Sequence, residues 1–486
     1  MWLKVYFIAP YCPDMKPISF PEMREYDRNA VWLGVPEESL MESAGRGAAE
    51  IISKEFEVHG KKALIVCGTG NNAGDGTVVA RYLREKGAKP IIFLLKGKVR
   101  SALSNLNLKR AIDRGIPVQE EGLQELISQA DIIVDALLGI GVTGDPKEPY
   151  RSAIKSINAS GKPVVSIDIP SGMGYEPPVN ADLIITFDSP KEGLEGNVRV
   201  LDIGIPEDAK LYVGPGAFVR YTRLRKDAHK GDAGRIMIIG GGPYHGAPIM
   251  AGKAAYRAGS DLVHLTVPER IYSITASACD SFIIHTAGKD AIGSEAVEVF
   301  LDMQERMHAL LIGPGIGRSD TTASAVKEIL SETRIPVVID ADALHLIDPS
   351  NLPENTVITP HRAEFSSLFG TDVPEDIRER EELAGELAER YKIIILLKGA
   401  VDIISDGKRT ALNRTGVPRM AVGGTGDVLS GTSVSLIGRG MGPYDAARLA
   451  AFIAGYAGEK AFSEKSYGMI ATDVIEQIPA VLKDFL

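Results

Sequence analysis

The chain has 486 residues, of which 44% are hydrophobic and 24% charged, so a collagen-like, wholly disordered or disulfide-dense protein is excluded. At roughly 150 residues per domain, this length indicates two to four domains. The net charge of −10 would repel a phosphate backbone, which argues against nucleic acid as a partner.

The cysteines and the longest apolar runs indicate the compartment. Cys12, Cys67 and Cys279 have no CxxC spacing and form an odd set, which favours a reducing environment. The opening segment lacks the apolar core and cleavage site of a signal peptide, and Met15 is a second candidate start. No run approaches 18 apolar residues, so we expect no membrane span and a cytoplasmic location.

The first half of the chain alternates between strand-like and helix-like segments. The intervening segments, such as residues 77–86, have helical spacing, and this alternation predicts parallel strands with helices on both faces. We therefore expect an α/β domain with a Rossmann-like, doubly wound sheet. Its predicted strands cover residues 63–67, 91–95, 132–135, 164–168, 183–187 and 198–202.

The pattern breaks over residues 213–230, where Gly and Pro are followed by a run of basic side chains. We place the junction here, with a first domain over residues 1–218 and a second over residues 225–486. The basic run is capable of holding a phosphate, but a solvated linker is the simpler interpretation.

The second half restarts the alternation and then ends differently. After its last strand it continues into a Gly-rich loop at residues 423–431 and long helical segments rich in Ala and Gly. No internal repeat is visible, so we expect two unrelated α/β domains in tandem. The predicted strands cover residues 235–239, 262–267, 309–312, 337–340 and 393–397.

A Gly-rich loop directly follows the first strand of the first domain. Residues 68–76 read GTGNNAGDG and lead into a helix expected to begin near Asp75. Glycines let a ligand approach the backbone, and a helix start favours anions. The spacing matches neither the dinucleotide fingerprint nor the P-loop, so a purely structural turn is an open alternative.

Polar side chains also end two neighbouring strands. Asp135 ends one strand, and Asp168 and Ser171 lie within DIPSG at the end of the next. The carboxyl ends of parallel strands share one edge, where ligands bind. Asn72, Asp135 and Ser171 are oxygen donors, which hard cations prefer, whereas Asp168 has the alternative of capping the turn at Ser171.

Four segments over about residues 20–201 resemble the NAD(P)H-hydrate epimerase domain: EMREYDRNAVWLGVPEESLMESAGRGAAE, GNNAGDG, VDALLGIGVTG and DIPSG. Ala73 and Ser43 depart from the Gly and Asn usual in that family, and Ala73 narrows the loop. The resemblance implies that the R and S hydrates of NADH or NADPH interconvert beside a potassium ion held by Asn72, Asp135 and Ser171. Because epimerisation needs reversible proton and hydroxyl chemistry, Asp168 is the expected acid–base group. The implied substrate contacts are Asn71, Asn72, Ala73, Gly74, Asp75, Gly139, Ile140, Gly141, Val142, Thr143, Gly144, Asp145 and Asp168.

The second domain has its own Gly-rich loop, VGGTGDVLSG at residues 422–431. Three glycines precede a helix whose first turn contains Asp427, so several N–H groups face one anion. An aspartate there also stabilises a helix by about 0.3–1 kcal/mol, which is the structural alternative. The companion segments are GPGIG at 313–317, DADAL at 340–344, TPHRAEF at 359–365 and LLKGAVDII at 396–404.

This order resembles the ribokinase-like fold, and within it the ADP-dependent NAD(P)H-hydrate dehydratases, over about residues 225–486. In that fold the loop stabilises a transferring phosphoryl group and its Asp, here Asp427, acts as general base. The resemblance implies ADP, or alternatively ATP, as phosphoryl donor, with Mg²⁺. It places Ala247, Gly317, His361 and Asp427 on the hydrated dinucleotide, and Lys398, Gly399, Ala400, Val401, Asp402 and Gly426 on the adenine nucleotide.

Two of these residues have simpler interpretations. His361 and Glu364 have no third His or Cys ligand nearby, so substrate contact or helix capping is favoured over zinc. Lys398 follows an apolar strand and is alternatively a solvent-facing strand end.

We therefore expect a bifunctional enzyme that epimerises the hydrates of NADH or NADPH and dehydrates the S form. Its expected partners are these hydrates, an adenine nucleotide and further copies of itself as a homo-oligomer, with no nucleic acid or membrane. One alternative is a kinase of the hydroxymethylpyrimidine or thiazole type with an accessory domain, which would release a stable phosphorylated product. Another is that the first domain is a non-catalytic dinucleotide sensor or interaction module.

Overall fold

The computed structural model describes residues 8–10, 16–142 and 144–486. Cys12, Met15 and Thr143, which the sequence analysis singled out, lie outside these residues. The chain divides into two compact units, Met1–Ala209 and Lys210–Leu486. Both are α/β, as predicted.

The described part of the first unit forms an eight-stranded sheet in the order β1-β8-β7-β6-β5-β2-β3-β4. All neighbours are parallel except β1, which runs antiparallel to β8. Its strands are β1 (Ile8–Pro10), β2 (Lys62–Cys67), β3 (Lys89–Leu94), β4 (Val118–Gln119), β5 (Ile132–Ala136), β6 (Val164–Ile167), β7 (Leu183–Phe187) and β8 (Val198–Leu201). Its helices are α1 (Phe20–Trp32), α2 (Glu37–Glu55), α3 (Asn71–Glu85), α4 (Ala102–Asp113), α5 (Leu123–Gln129) and α6 (Tyr150–Asn158), and α7 (Glu207–Leu211) spans the division between the units.

Strand alternation builds a core on each face of this sheet. In β2, Ile65 and Cys67 pack in the apolar cluster that includes α2 and α3, whereas Leu64 and Val66 pack in the cluster that includes α5 and α6. The chain passes from β2 to β3 on one side and later to β5 on the other. The sheet is thus doubly wound, and its direction reverses between β2 and β5, where such sheets bind ligands.

Turns at the amino ends of the strands are short. Gly60 and Gly161 lie in the turns that precede β2 and β6, and both have positive φ values of 73° and 64°. The loops that carry the predicted site residues lie at the opposite, carboxyl ends.

The second unit has a nine-stranded sheet in the order β11-β10-β9-β12-β13-β14-β15-β16-β17. Pairing is parallel as far as β15 and antiparallel from β15 to β17. The strands are β9 (Arg235–Ile239), β10 (Leu262–Val267), β11 (Ile283–Thr286), β12 (Ala309–Ile312), β13 (Val337–Ile339), β14 (Val357–Ile358), β15 (Ile394–Leu397), β16 (Asp402–Ser405) and β17 (Thr410–Asn413). The helices are α8 (Gly246–Ala258), α9 (Tyr272–Ala278), α10 (Ser294–Met303), α11 (Asp320–Glu332), α12 (Arg362–Phe369), α13 (Ile377–Tyr391), α14 (Thr425–Gly438), α15 (Pro443–Lys465) and α16 (Ala471–Phe485).

The junction differs from the predicted boundary. The sequence predicts a first domain that ends at residue 218. In the structure, however, Val213, Ala217 and Phe218 are buried in the core of the second unit. Arg220, expected in a solvated linker, forms an ion pair with Asp445 at 3.3 Å. Residues 210–218 therefore belong structurally to the second unit, because their apolar side chains are packed there.

None of the helices in the described ranges is long and apolar enough to cross a bilayer. Cys67 and Cys279, the cysteines within those ranges, are free thiols.

Candidate functional sites

The first Gly-rich loop brings β2 against the loop that follows β5. A Cβ atom on Gly68 would lie 1.8 Å from the carbonyl oxygen of Leu137, so only glycine permits this approach. Helix α3 begins at Asn71, earlier than the start near Asp75 that the sequence predicted, and its N-cap residue Gly70 supplies no side-chain cap. The first turn of α3 therefore includes most of the predicted NNAGD loop.

The three predicted cation ligands meet behind this turn. The Asn72 side-chain amide donates to the carbonyl oxygen of Leu138 at 3.1 Å, and the Ser171 hydroxyl lies 3.2 Å from the same oxygen. The Asp135 carboxylate accepts from the Ser171 hydroxyl at 2.6 Å, the Ser171 N–H at 2.9 Å and the Ser166 hydroxyl at 2.8 Å. Burial nevertheless raises the pKa of Asp135. The amide oxygen of Asn72 is buried and accepts no hydrogen bond.

Asp168 follows β6 and pairs with a lysine that the sequence analysis did not identify. The φ of Asp168 is 66°, in the left-handed region, so its backbone ends the strand one residue before the predicted end. Its carboxylate lies 2.8 Å from the Nζ of Lys191, whose side chain is fully buried. Lys191 also donates to the Phe187 carbonyl and the Thr186 hydroxyl. The turn at Ser171 is instead held by Asp135, so the capping alternative for Asp168 does not describe the structure.

Further carboxylates lie within electrostatic reach of this ion pair. Burial, and then the charge of Asp168, raise the pKa of Asp27 to about 7. The same two causes raise the pKa of Asp75 well above its ordinary value. Asp27, on α1, was not predicted as a site residue. Carboxyl groups with raised pKa values therefore lie beside the pair of Asp168 with Lys191, and such groups are suited to exchanging protons.

The loop after β5 completes this edge. A Cβ atom on Gly139 would lie 3.4 Å from the Cβ of Asn72, and the carbonyl oxygen of Ile140 accepts from Arg24 at 3.3 Å. Val142 is 43% exposed, and Asp145 accepts from the backbone of Glu176 at 3.4 Å. The structure thus brings Gly139, at the start of this predicted contact loop, beside the NNAGD turn.

In the second unit, the GGTGD loop packs directly against α8. Gly424 has a φ of 98°, and a Cβ there would lie 2.5 Å from the sulfur of Met250. Asp427 lies in the first turn of α14. Burial, and then the charge of Asp340, raise the pKa of Asp427 to about 7, although Lys398 opposes them. Asp427 therefore titrates near neutrality, which suits a general base.

Lys398 joins two other acidic side chains at the same place. Its Nζ lies 3.0 Å from the Asp340 carboxylate and 3.8 Å from that of Glu364. Burial lowers the pKa of Lys398, but the charges of Asp340 and Glu364 outweigh it and raise the pKa. A Cβ on Gly426 would lie 3.5 Å from this Nζ. Lys398 therefore faces the GGTGD loop instead of ending a strand in solvent. Asp340 is a further residue of this cluster that the predicted site did not include.

His361 is the N-cap of α12. It forms a capping box with Glu364, in which the Glu364 N–H donates to Nδ1 at 3.2 Å and the Glu364 carboxylate accepts from the His361 N–H at 2.8 Å. The imidazole is 55% exposed. Among the residues that the structure describes, no three His, Cys, Asp or Glu side chains are grouped to hold a metal ion.

Asp402 holds the turn that follows Lys398. Its carboxylate accepts from the Gly399 N–H at 2.9 Å and from the Asn413 amide at 2.9 Å, and burial raises its pKa to about 6. Gly399 and Ala400 are exposed at the tip of the turn, and Val401 is half-buried. These exposed backbone groups are available to a ligand, whereas Asp402 fixes the shape of the turn.

Ala247, in the first turn of α8, lies against the loop that contains Gly317. A Cβ on Gly315 would lie 3.2 Å from the Cβ of Ala247, and the Gly317 N–H donates to Asp342 at 3.1 Å. Helix α8 and this loop follow β9 and β12, which are neighbours in the sheet.

Two family models match the chain. One, described as NAD(P)H-hydrate dehydratase, covers residues 236–480, and the other, described as YjeF-related protein N-terminus, covers residues 37–193. A bifunctional NAD(P)H-hydrate repair enzyme from Hyperthermus butylicus is 38% identical over 96% of this chain and 93% of the relative. Another, from Methanothermobacter thermautotrophicus, is 40% identical over 96% of this chain and 95% of the relative. The chain belongs to the family of bifunctional NAD(P)H-hydrate repair enzymes.

A solved structure supports the fold of the second unit. A ribokinase-like superfamily protein from Enterococcus faecalis has a TM-score of 0.50 and 23% identity, and the match covers 57% of this chain and 96% of that one. The predicted ribokinase-like fold is therefore confirmed. Membership of the repair-enzyme family likewise confirms the predicted pairing of an epimerase with a dehydratase, and sets aside a kinase with an accessory domain.

Proposed function

We propose that each unit holds one complete active site at the carboxyl edge of its sheet. In the first, the hydrated dinucleotide binds across Asn71–Asp75 and residues 139–145, beside Asp168. In the second, the S hydrate binds near Ala247, Gly317, His361 and Asp427, and ADP or ATP binds at residues 398–402 and Gly426. The observation that carries the dehydratase site is the position of Asp427, a half-buried carboxylate with a pKa of about 7 in the first turn of α14, and the 2.8 Å pair of Asp168 with Lys191 supports the epimerase site.

In the first site, Asp168 and Lys191 are suited to moving protons at the hydrated ring. Their 2.8 Å ion pair fixes the Asp168 carboxylate in place, and its side chain remains 13% exposed. Asp27 and Asp75 lie within electrostatic reach, and burial together with the charge of Asp168 raises the pKa values of both carboxyl groups. Asp168 is proposed to give a proton to the C6 hydroxyl as the C6–O bond breaks, which leaves water and an iminium between C6 and N1. It then takes a proton from the water that adds to the opposite face of C6.

A potassium ion fits the donor set beside this site. The buried Asn72 amide oxygen accepts no hydrogen bond, and its amide shares the Leu138 carbonyl oxygen with Ser171. With Asp135, these residues would hold the ion, which would supply positive charge next to the bound substrate. Diffraction from crystals soaked in a thallous salt should give an anomalous peak among Asn72, Asp135 and Ser171. A soaked crystal with no such peak would rule out this ligand set.

In the second site, dehydration requires hydroxide to become a better leaving group. We propose that Asp427 takes the proton of the C6 hydroxyl as the hydroxyl oxygen bonds to the terminal phosphorus of the nucleotide. The bond from that phosphorus to the bridging oxygen breaks, and AMP departs from ADP, or ADP from ATP. The C6–O bond then breaks, phosphate leaves, and loss of a proton from C5 restores the ring double bond. Lys398 and the N–H groups of the α14 start are positioned to stabilise charge on the transferring group. Mg²⁺ would enter with the nucleotide phosphates and neutralise part of their charge.

One assay tests both sites. The full-length chain is given mixed R and S hydrates with ADP or ATP, and the absorbance of the reduced nicotinamide is followed with free phosphate. Complete recovery is expected, with AMP as the product from ADP or ADP as the product from ATP. Recovery of absorbance that stops once the S hydrate is consumed would contradict the epimerase proposal. No recovery of absorbance would contradict the dehydratase proposal. The cytoplasmic location and the homo-oligomeric state stay predictions.

A further inference from the structure

Tyr244 has an exposed aromatic side chain, and its backbone packs against the loop that contains Gly315. The residue is 64% exposed. A Cβ on Gly315 would lie 2.3 Å from the Tyr244 carbonyl oxygen and 3.0 Å from its Cβ, so the two loops are in close contact. The Gly241 N–H also donates to the Pro314 carbonyl at 2.8 Å. Single exposed tyrosines are common on protein surfaces, so exposure alone does not indicate a function. The position of Tyr244 beside the Gly315 loop is the relevant observation.

Tyr244 lies just before α8, the helix whose Met250 contacts the GGTGD loop. Met250 contacts Gly424 of the GGTGD loop, and Ala247 lies three residues before Met250 on α8. Helix α8 begins at Gly246, and Tyr244 lies two residues before it, on the loop after β9. The four residues of helix from Gly246 to Met250 span about 6 Å. Tyr244 therefore precedes α8, whereas the helix meets the GGTGD loop one turn later, at Met250.

The substrate has two ring systems, joined through a pyrophosphate. The hydrated nicotinamide ring must lie at Asp427, where its hydroxyl reacts. It is no longer flat and is a poor partner for stacking, whereas the adenine base at the other end is flat and aromatic. We propose that Tyr244 stacks on the adenine base of the hydrated dinucleotide and so favours dinucleotides over hydrated mononucleotides. This inference rests on the proposed dehydratase site.

The adenine of the phosphoryl donor is a different base in a different place. It is proposed to bind near residues 398–402, on the turn between β15 and β16. Tyr244 lies on the loop after β9, and β9 and β15 are separated in the sheet by β12, β13 and β14. A substitution at Tyr244 should therefore act on the hydrated dinucleotide and leave the donor nucleotide unaffected.

The test uses the full chain and two substrates, the S hydrate of NADPH and the S hydrate of reduced nicotinamide mononucleotide. Tyr244→Leu should raise KM for the dinucleotide at least about fivefold with kcat unchanged, since a stacked base contributes about 1–3 kcal/mol. For the mononucleotide, parent and variant should have the same KM. Tyr244→Phe, which keeps the ring, should match the parent. Tyr467→Leu is the matched control, because Tyr467 is 78% exposed and its ring packs on Phe462.

The outcomes separate this assignment from the function on which it rests. Parent activity with an unchanged dinucleotide KM in Tyr244→Leu would overturn the stacking role. An equal loss with both substrates, or a changed KM for ADP, would overturn it too, because the effect would then not depend on the substrate adenine. A parent protein that dehydrates neither hydrate would contradict the proposed function itself. Unchanged melting temperatures and unchanged epimerase rates in all variants are the check on folding.

Discussion

Asp427 and Asp168 are the two proposed catalytic aspartates, and their electrostatic surroundings differ. Asp168 has a buried lysine partner at 2.8 Å. Burial and the charge of Asp340 raise the pKa of Asp427 to about 7, although the charge of Lys398 opposes them. The first is therefore a paired carboxylate, and the second exchanges its proton near neutral pH.

Substitution of Asp427 should separate catalysis from folding. Asp427→Asn keeps the shape and the capping ability but has no basic carboxylate, so dehydration should fall at least about a hundredfold while ADP binding and epimerisation persist. A normally melting variant that dehydrates the S hydrate near the parent rate would reduce Asp427 to a helix cap.

The pH profile of dehydration should show the titration of Asp427. A general base acts in its ionised form, so kcat/KM should rise with pH through about 7 and then level off. The sign follows from the raised pKa: below it the carboxyl group is protonated and inactive. A profile that is flat between pH 5 and 8, measured under pH-stable conditions for the hydrate, would contradict this role.

Removing Asp168 alone would leave a buried charge on Lys191. Loss of one partner of a buried pair costs about 3–5 kcal/mol, so Asp168→Asn is best compared with the double variant Asp168→Asn with Lys191→Met. We expect the double variant to melt closer to the parent and to lose R-to-S exchange, while still dehydrating pure S hydrate. Rapid exchange in a folded double variant would exclude Asp168 as the acid–base group.

Asp168 and Lys191 also show how much of the first site could be predicted from the sequence. Asp168 follows a predicted strand within a recognisable segment, so its place at the carboxyl edge could be inferred. Lys191 lies 23 positions later on a loop, and a lysine there is normally solvated. Only the packing of β7 and its following loop reveals that its side chain is fully buried. Asp27, on α1, likewise joins the site through tertiary structure alone.

At the level of elements, the strand-to-helix turn after β2 depends on one glycine. Gly68→Ala would force a Cβ to 1.8 Å from the Leu137 carbonyl oxygen, so the turn or the neighbouring loop must move. We expect a loss of about 3 kcal/mol, or roughly 6–12 °C in the melting temperature of the first unit, with epimerase activity falling as well. Gly70→Ala is the matched control, since no atom lies within 4 Å of its Cβ position. Equal melting temperatures for the two variants would contradict the role of Gly68.

The same level shows why some strands were not predicted. Buried parallel strands such as β2 and β9 are continuous apolar runs, which the sequence displays plainly. β14 has two residues, too few for any pattern, and β11 contains His285 and is only half-buried. Their existence depends on neighbouring strands that supply hydrogen bonds, which local sequence does not encode.

On the scale of the whole molecule, each unit has its own apolar core and its own proposed ligands. A ligand at 100 times its Kd stabilises the folded state by about 2.7 kcal/mol. Potassium should therefore raise the melting temperature of the first unit, and ADP with Mg²⁺ that of the second. Asn72→Ala should abolish only the rise in melting temperature caused by potassium, and Lys398→Met only the rise caused by ADP. Choline chloride is the control for ionic strength. A variant that loses both shifts would contradict separate sites.

The turns at the amino ends of the strands lie opposite all of this chemistry. At Gly60 and Gly161 a Cβ position meets no atom within 4 Å, and neither turn contains a proposed ligand contact. Extra residues are best tolerated at such exposed turns. The turn at Gly161 is therefore a suitable place to graft a fluorescent reporter or an immobilisation tag, which would turn the chain into a sensor for damaged nicotinamide cofactors without altering the proposed epimerase site.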